Sequence, residues 1–220
     1  FNEDSMLVAT GTNYSVSPND TSLYYINVQD DCNIQLNDSV FVYVNPLPNV
    51  DFSAEPTAGC TPFIPTFTNL TDTALVGSAT WTFGNATVVN NDTTLSHLFR
   101  QPGNYTVSLE VVTPEGCVED ITKSNYITVY DLPEASFTYT PSEITTINPQ
   151  VSFFNQSIDH VNSVWNLGEL GTFEQEDLAY TFEEEGLYPV TLTVESINGC
   201  LDSTVAFLRV DDVFTVYVPN

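Results

Sequence analysis

Residues 97–117, HLFRQPGNYTVSLEVVTPEGC, contain a turn, an alternating strand and a second turn that ends on a cysteine. The strand carries large apolar side chains at every second position, namely Tyr105, Val107, Leu109 and Val111. This period of two is typical of a β-strand with one buried face. Residues 181–200, TFEEEGLYPVTLTVESINGC, repeat the same order of features and also end on a cysteine. The chain is therefore predicted to contain one β-rich unit at least twice.

Landmarks outside these two stretches repeat with nearly the same spacing. Trp81 and Trp165 lie 84 residues apart, and Cys117 and Cys200 lie 83 residues apart. So small a drift indicates a single module with minor loop insertions. Residues 1–46 end in a similar pattern and are predicted to be the C-terminal part of another Ig-like module.

Two proline-containing junctions, VNPLPNVDF and VYDLPEASF, separate these modules. Proline fixes φ and disfavours helix, so the junctions are predicted to be short and stiff. We accordingly define module 1 as residues 47–130 and module 2 as residues 131–211, followed by a tail at residues 212–220.

The rest of the sequence favours strands. Runs such as PTFTN, ATWTF and VSFFN alternate in the same way, and Pro102–Gly103 and Asn198–Gly199 mark turns. Residues 170–180, LGTFEQEDLAY, are interpreted as a polar connection. About seven short strands per module favour a β-sandwich. The predicted fold class is all-β, with tandem Ig-like β-sandwiches.

The charge of the chain argues against several classes of partner. Its 220 residues have a formal net charge of -26 and only three Lys and Arg residues. Such a surface repels nucleic-acid phosphates and anionic lipids. No run of about 18 apolar residues occurs, so no membrane-spanning helix is predicted. Neither nucleic-acid binding nor membrane insertion is expected.

A set of landmarks in each module keeps a distinctive order. Module 1 has Trp81, Phe83, Gly84, His97, Phe99, Pro102, Gly103, Tyr105, Val107, Leu109 and Val111. Module 2 has Trp165, Leu167, Gly168, Tyr180, Phe182, Gly186, Tyr188, Val190, Leu192 and Val194. Both sets resemble the PKD (polycystic kidney disease) domain, an Ig-like sandwich whose pattern runs Trp-x-Phe-Gly-Asp-Gly, His-x-Tyr, Pro-Gly-x-Tyr-x-Val-x-Leu-x-Val. Both copies lack the Asp-Gly pair of that pattern.

PKD-like modules with an appended Gly-Cys are similar to those of long surface proteins of Bacteroidota. The tail sequence FTVYVPN, residues 214–220, is similar to the opening of the type B sorting domain of the type IX secretion system. The resemblance implies a structural or adhesive stalk of a large secreted protein outside the outer membrane, of the gliding-motility adhesin type. Its implied partners are the secretion translocon and outer-membrane shuttle proteins, reached through the adjacent C-terminal domain, and surface glycans or the substratum.

Two other functions fit the same sequence. One is an accessory region of a secreted hydrolase, and the other is a carbohydrate-binding module in its own right. The chain itself is not expected to be an enzyme, because neither His97 nor His160 has a nucleophile in a catalytic pattern. His97 occupies a position of the PKD pattern and is interpreted as structural.

The four cysteines raise the question of pairing. We predict a disulfide between Cys60 and Cys117, joining the two ends of module 1. Module 2 has Thr146 or a neighbour where Cys60 would be, so Cys200 has no partner in its own module. Cys32 and Cys200 are therefore predicted to be buried free thiols. Metal binding is the alternative, but no Cys-x-x-Cys spacing occurs.

Four aromatic residues are predicted core landmarks of the two modules. Trp81 and Trp165 are expected to fill the space between the sheets, with Tyr105 and Tyr188 beside them. An exposed platform for carbohydrate is the alternative role for the two tryptophans.

Acidic residues cluster near the ends of the modules. The candidate calcium ligands are Asp131, Asp211 and Asp212, because calcium takes several oxygen ligands at once. No EF-hand spacing is present, and a solvated acidic face is the alternative. No other cofactor is expected.

Five Asp-Ser or Asp-Thr sequences resemble the O-glycosylation signal of Bacteroidota. The candidate acceptors are Ser5, Ser39, Thr73, Thr93 and Ser203. Chance occurrence in a chain rich in Asp, Ser and Thr is the alternative.

Overall fold

The computed structural model describes residues 10–11, 13, 15–29 and 32–213. Within these residues, almost all regular structure is strand, and two single 3₁₀ turns occur at Thr73–Leu75 and Gly168–Leu170. The predicted all-β fold class is confirmed. The predicted tail motif at residues 214–220 and the candidate acceptor Ser5 lie outside the described residues.

The first two strands form an antiparallel hairpin. β1 (Ser22–Gln29) pairs with β2 (Gln35–Val42) along their whole length. Large apolar side chains are exposed on both of its faces, because Val28 and Leu36 pair on one face and Phe41 lies on the other. The hairpin therefore lacks a core of its own among the described residues.

Module 1 contains eight strands, which form two sheets. They are β3 (Phe52–Glu55), β4 (Ala58–Cys60), β5 (Thr66–Asn69), β6 (Ser78–Phe83), β7 (Ala86–Val89), β8 (Thr94–Ser96), β9 (Gly103–Val112) and β10 (Val118–Tyr130). One sheet has the order β4-β10-β9-β6-β7 and the other the order β3-β5-β8.

Module 2 repeats this arrangement. Its strands are β11 (Phe137–Thr140), β12 (Ile144–Thr145), β13 (Gln150–Asn155), β14 (Asn162–Asn166), β15 (Thr172–Phe173), β16 (Leu178–Thr181), β17 (Gly186–Glu195) and β18 (Leu201–Asp211). The sheet orders are β12-β18-β17-β14-β15 and β11-β13-β16. The two modules therefore share one strand order, with β12 in the place of β4 and β18 in the place of β10.

One predicted connection is wrong. Residues 170–180 contain β15 and most of β16, since Phe173 pairs with Trp165 and Leu178 pairs with Phe153. The many acidic residues of this segment obscure a short alternation of apolar side chains in the sequence. The apolar members of the segment still reach the core, because Leu178 is buried.

Contacts divide the chain into two compact units. The first comprises Phe1–Ser53, Thr68–Leu95 and Val107–Lys123, as far as these are described. Its core contains the fully buried Trp81, whose ring lies edge-on to Phe52 with 5.2 Å between the ring centroids. Val107, Leu109 and Val111 are fully buried as well, so the alternation read from the sequence is the inward face of β9.

The second unit comprises Ala54–Phe67, Ser96–Thr106 and Ser124–Asn220, as far as these are described. The core of module 2 belongs to this unit and contains Trp165, whose ring lies 5.1 Å from that of Phe137 and 5.6 Å from that of Phe153, measured between centroids. β17 and β18 pair over ten residues, from Gly186 opposite Val210 to Glu195 opposite Leu201. This long hairpin ends in the turn that carries Cys200.

Candidate functional site: a disulfide between modules

Cys60 lies on a short edge strand at the end of module 1. β4 runs parallel to the last residues of β10, with Ala58 opposite Thr128 and Cys60 opposite Tyr130. The N–H of Thr61 continues this pairing by donating to the carbonyl of Tyr130 over 2.9 Å. Cys60 is therefore fixed beside the point where the chain leaves module 1.

Cys200 closes the turn between β17 and β18. Its N–H donates to Ser196 Oγ at 3.1 Å, and its carbonyl accepts from the N–H of Ser196 at 2.8 Å. Gly199 has φ +78°, a left-handed conformation that favours glycine. These bonds hold the cysteine in one place, and it is fully buried.

The junction between the modules lies against this end of module 2. The N–H of Ala135 donates to a carboxylate oxygen of Asp202 at 2.8 Å, two residues beyond Cys200. Glu134 and Ile158 exchange two backbone hydrogen bonds, at 3.2 and 3.1 Å. The chain therefore enters module 2 next to the turn that carries Cys200.

A disulfide joins Cys60 to Cys200, with 5.6 Å between the two Cα atoms and 140 residues between them in sequence. The predicted Cys60–Cys117 disulfide is wrong. Cys117 directly precedes β10 and Cys60 lies beside its last residue, so 13 residues of strand separate them. The sulfur of Cys60 is already bonded to that of Cys200, and Cys117 is a free thiol.

The other cysteine predictions change with this correction. Cys200 is bonded rather than free, Cys32 is exposed rather than buried, and Cys117 is a half-buried free thiol. Sequence reasoning looked for each partner within one module. No sequence signal marked this pairing, since Cys60 and Cys200 belong to different modules and are 140 positions apart.

The aromatic landmarks belong to the structural framework. Trp81 and Trp165 are both fully buried, so neither ring offers a platform to carbohydrate. The indole N–H of Trp165 donates to the carbonyls of Gln175 and Glu176 at 3.1 and 3.3 Å. The half-buried Tyr105 and Tyr188 each donate their hydroxyl to a carbonyl four residues earlier, over 2.8 and 3.0 Å.

The PKD domain family model matches residues 43–129 and again residues 132–210. The chain belongs to the PKD domain family. No curated protein matches it.

Several solved structures share parts of this fold. The PKD1 domain of the Vibrio cholerae metalloprotease PrtV is 26% identical over 36% of this chain and 98% of that one, with a TM-score of 0.32. A carbohydrate-binding module of the β-sandwich superfamily is 27% identical over 37% of this chain and 35% of that one, with a TM-score of 0.35. A Ca²⁺-stabilised ice-binding adhesin of an Antarctic bacterium is 12% identical over 89% of this chain and 58% of that one, with a TM-score of 0.44.

The two PKD modules build the same turn before their last strand. In module 1, Cys117 N–H donates to Thr113 Oγ1 at 3.1 Å and its carbonyl accepts from Thr113 N–H at 2.8 Å. Gly116 has φ +87° and takes the place of Gly199. Cys117 therefore has the same two backbone hydrogen bonds and the same preceding left-handed glycine as Cys200, yet it forms no disulfide.

Module 2 has a depression of about 570 Å³ whose polar groups come from Ser163, Glu176 and their neighbours. Ser163 Oγ lies 3.2 Å from Glu176 Oε2, and His160 Nε2 lies 3.2 Å from both carboxylate oxygens of Glu176. Glu176 thus separates the hydroxyl from the imidazole. A serine nucleophile needs the imidazole as its direct neighbour, so this arrangement is not a catalytic triad.

The three calcium candidates are engaged elsewhere. Asp131 accepts from the N–H of Leu132, Asp211 pairs with Arg209 at 2.6 Å, and Asp212 accepts from the hydroxyl of Thr146 at 2.8 Å. In the part of the chain that is described, no three His, Cys, Asp or Glu side chains group as metal ligands. Calcium binding stays a prediction that these contacts do not support.

The four described candidate acceptors for O-glycans are exposed: Ser39, Thr73, Thr93 and Ser203. A modifying enzyme needs such exposure, but many unmodified serines share it. Glycosylation at these positions therefore stays a prediction. Among the described residues, no helix has the length and apolar character needed to cross a membrane.

Lys123 makes a polar contact that is confined to module 1. Its ammonium lies 2.8 Å from Asp51 Oδ1, donates to the carbonyl of Phe52 and sits 4.6 Å from the centroid of the Phe52 ring. The hydrogen bond from Lys123, helped by the N–H of Phe52, holds the pKa of Asp51 below its usual range. Partial burial lowers the pKa of His97, whose ring packs edge-on against Phe99.

Proposed function

We propose that the chain is a structural and adhesive stalk region of a large secreted protein at the bacterial cell surface. The type IX secretion system exports this protein, which is of the gliding-motility adhesin type. The observation that carries the proposal is the Cys60–Cys200 disulfide, which joins two consecutive PKD modules.

Relative motion is the default for neighbouring domains joined by a short linker. A covalent bond beside the junction restrains that motion without requiring a large interface. Such a bond is suited to a spacer whose consecutive modules must not swing freely about their linker. Disulfides also persist mainly in oxidising compartments, which supports a place outside the cytoplasm.

The assignment to type IX export rests on the tail sequence FTVYVPN and its similarity to the opening of a type B sorting domain. In this proposal, the adjacent C-terminal domain contacts the translocon and the outer-membrane shuttle proteins, while the PKD modules hold the functional part away from the cell. We place the module boundaries at residues 46–47 and 130–131. The family matches, which cover residues 43–129 and 132–210, support this placement.

Protease treatment of intact cells of the source bacterium tests this proposal. An antiserum against the chain should detect a full-length protein that external protease removes, while a periplasmic control protein survives. Inactivating the type IX translocon should leave the protein resistant in intact cells. Deleting residues 47–211 in frame should preserve export and reduce adhesion. Protease resistance in the wild-type cells would contradict the surface location.

A carbohydrate-binding or accessory role in a secreted hydrolase is the second candidate. One observation favours it: Phe207 is 64% exposed on the outer face of β18, with Leu187 and Val205 on the same two-stranded face. Exposed rings of this kind suit stacking on sugars. Retention of the chain on insoluble glycans, lost in Phe207→Ala but kept in Val205→Ala, would favour this role over a passive stalk.

A further inference from the structure

The outer face of the β17–β18 hairpin in module 2 is apolar in its middle. Leu187, Val205 and Phe207 are each more than half exposed there, and Pro189 lies directly opposite Phe207. Side chains on one face of a sheet lie next to those two residues away and to those opposite on the neighbouring strand. These four residues therefore form one group, which we call the apolar strip. An exposed group of large apolar side chains is typical of an interaction surface.

Module 1 has polar side chains at the corresponding positions. Counted from the glycine that begins each strand, β9 carries Asn104 and Thr106 where β17 carries the leucine and the proline of the strip. Counted from the cysteine that precedes each last strand, Thr122 takes the place of the valine. The PKD fold therefore does not need apolar side chains here, and the apolar strip is a property of module 2.

Carboxylates lie at the end of the strip where β17 ends. Glu195 pairs with Leu201 across the hairpin. Together with Glu174 and Glu176, it lines the depression of about 570 Å³. None of the residues that line this depression is Lys or Arg. This end of the face is therefore acidic.

The opposite end, where β17 begins and β18 ends, is acidic as well. Glu185, Leu187, Arg209 and Asp211 line a second depression, of about 350 Å³. Arg209 donates to Asp211 over 2.6 Å, so its charge is compensated and Glu185 adds a further negative charge. The strand from Leu187 to Glu195 is about 27 Å long at roughly 3.4 Å per residue. The apolar strip is therefore flanked by two acidic depressions.

We propose that this face binds an amphipathic helix of a partner protein, with apolar side chains in its middle and Lys or Arg at both ends. A helix of about 18 residues is about 27 Å long, so its apolar stripe can cover the strip while each basic end meets one acidic depression. A helix also satisfies its own backbone hydrogen bonds, which suits docking on a face rather than on a strand edge. The chain has only three Lys and Arg residues and a formal net charge of -26, so the basic residues have to come from the partner.

Two other occupants fit the charges of this face less well. A second copy of the chain would place carboxylates against carboxylates at the ends of the strip, and like charges across an interface are unfavourable. A neutral glycan can stack on Phe207 but gains nothing from the flanking carboxylates. The docking surface is independent of the stalk role, because neither Cys60 nor Cys200 belongs to it.

Fluorescence anisotropy with a synthetic helix tests the proposal on the full chain. The labelled probe is a peptide of about 18 residues with Leu along one face, Ala and Gln elsewhere, and Lys in its first and last turns. The triple variant Leu187→Asn, Val205→Thr and Phe207→Ser gives the face the polar character of module 1. Its Kd for the probe should be at least about tenfold higher than that of the parent. Thr122→Val, the reverse change in module 1, should leave the Kd within about twofold.

A second probe with Glu in place of Lys isolates the contribution of charge. It should bind the parent at least about tenfold more weakly, and added salt should weaken binding of the Lys probe. Equal affinity of the parent and the triple variant for the Lys probe would overturn the proposal, because binding would then come from net charge alone. Equal affinity of the parent for the two probes, or no binding of the Lys probe, would overturn it as well.

Amide chemical shifts locate the probe even if the triple variant fails to fold. In the parent, the shift changes on adding the Lys probe should be confined to residues 162–176, 185–195 and 201–211. Changes in module 1, or changes spread over both modules, would contradict the proposal. If the parent self-associates or is retained on insoluble glycan, and the triple variant loses that property, the face belongs to that other occupant and the proposal is wrong.

Discussion

The turns Thr113–Cys117 and Ser196–Cys200 have the same backbone hydrogen bonds, the same left-handed glycine and the same terminal cysteine, yet only the second is bonded. The turn itself therefore does not decide whether a disulfide forms. Whether the disulfide forms depends on the neighbouring module, because Cys200 faces an edge strand that carries Cys60. In a tandem repeat, the partner of a cysteine is to be sought across a junction as well as within the repeat.

The largest effect on stability is expected from removing the Cys60–Cys200 disulfide, which distinguishes the two turns. In Cys60→Ser the free energy of unfolding should fall by up to about 5 kcal/mol, the loop-closure value for a loop of this length. Chemical denaturation of the full chain measures the loss. Cys117→Ser, which changes the matching turn, should stay within about 0.5 kcal/mol of the parent. An equal loss in the two variants would show that the bond does not restrain the unfolded chain.

Removing the largest side chain from the core of module 2 is expected to have the next largest effect. Trp165 is fully buried and gives two hydrogen bonds, so Trp165→Ala should cost about 3–5 kcal/mol in the unfolding of module 2. Thermal unfolding should show one transition shifted down. The exposed Phe207→Ala serves as the matched control and should lie within about 0.5 kcal/mol of the parent. A small effect of Trp165→Ala would mean that module 2 is held by the disulfide rather than by its core.

Changing the two turn glycines sharpens the comparison. A Cβ at Gly116 meets nothing within 4 Å and one at Gly199 meets only Glu195 Oε1 at 3.8 Å, so sterics with neighbours are mild in both. The cost of Gly→Ala therefore comes from the positive φ and should be about 1–2 kcal/mol in each turn. Gly→Asn should cost less, since asparagine tolerates this region. Unequal costs in urea denaturation would show that the disulfide alters the turn.

The smallest expected effect concerns the ion pair of module 1. Because the pKa of Asp51 is lowered in the folded state, the unfolded state binds a proton at Asp51 more readily. The ion pair therefore stabilises the fold above about pH 4, and this stabilisation disappears as the pH falls through the lowered pKa. Both groups are partly exposed, so Asp51→Asn should cost under about 1 kcal/mol at pH 7, and the cost should shrink as the pH falls through the lowered pKa of Asp51. A pH-independent difference between the parent and Asp51→Asn would contradict the assigned cause.

The sequence was sufficient to predict the strands in which apolar and polar side chains alternate. Val107, Leu109 and Val111 could be assigned to an inward face because each second side chain is apolar, and the same holds for the landmarks of module 2. The shortest strands were not predicted, since β4, β12 and β15 have only two or three residues and are too short to show an alternation of apolar side chains. β4 mattered most, because it carries Cys60 to the end of β10.

The disulfide could not be found from the landmarks, for a physical reason. Register within a module follows from side-chain alternation, whereas pairing between modules depends on which ends meet at a junction. The Cys60–Cys117 pairing was predicted because both cysteines belong to module 1, and nothing in the sequence marks Cys60 as lying beside Tyr130 at the end of β10.

The position of the disulfide also determines how the chain responds to a pulling force. When tension is applied between the two ends, it passes from Cys60 to Cys200 through the sulfur atoms and bypasses the 140 residues between them. If fully extended, that segment would add roughly 500 Å to the length of the chain. While the bond is intact this length is not released, so the strands from β5 to β17 can unfold without lengthening the chain between its ends. A stretched chain built on this principle stays short under load and lengthens abruptly only after reduction of the disulfide.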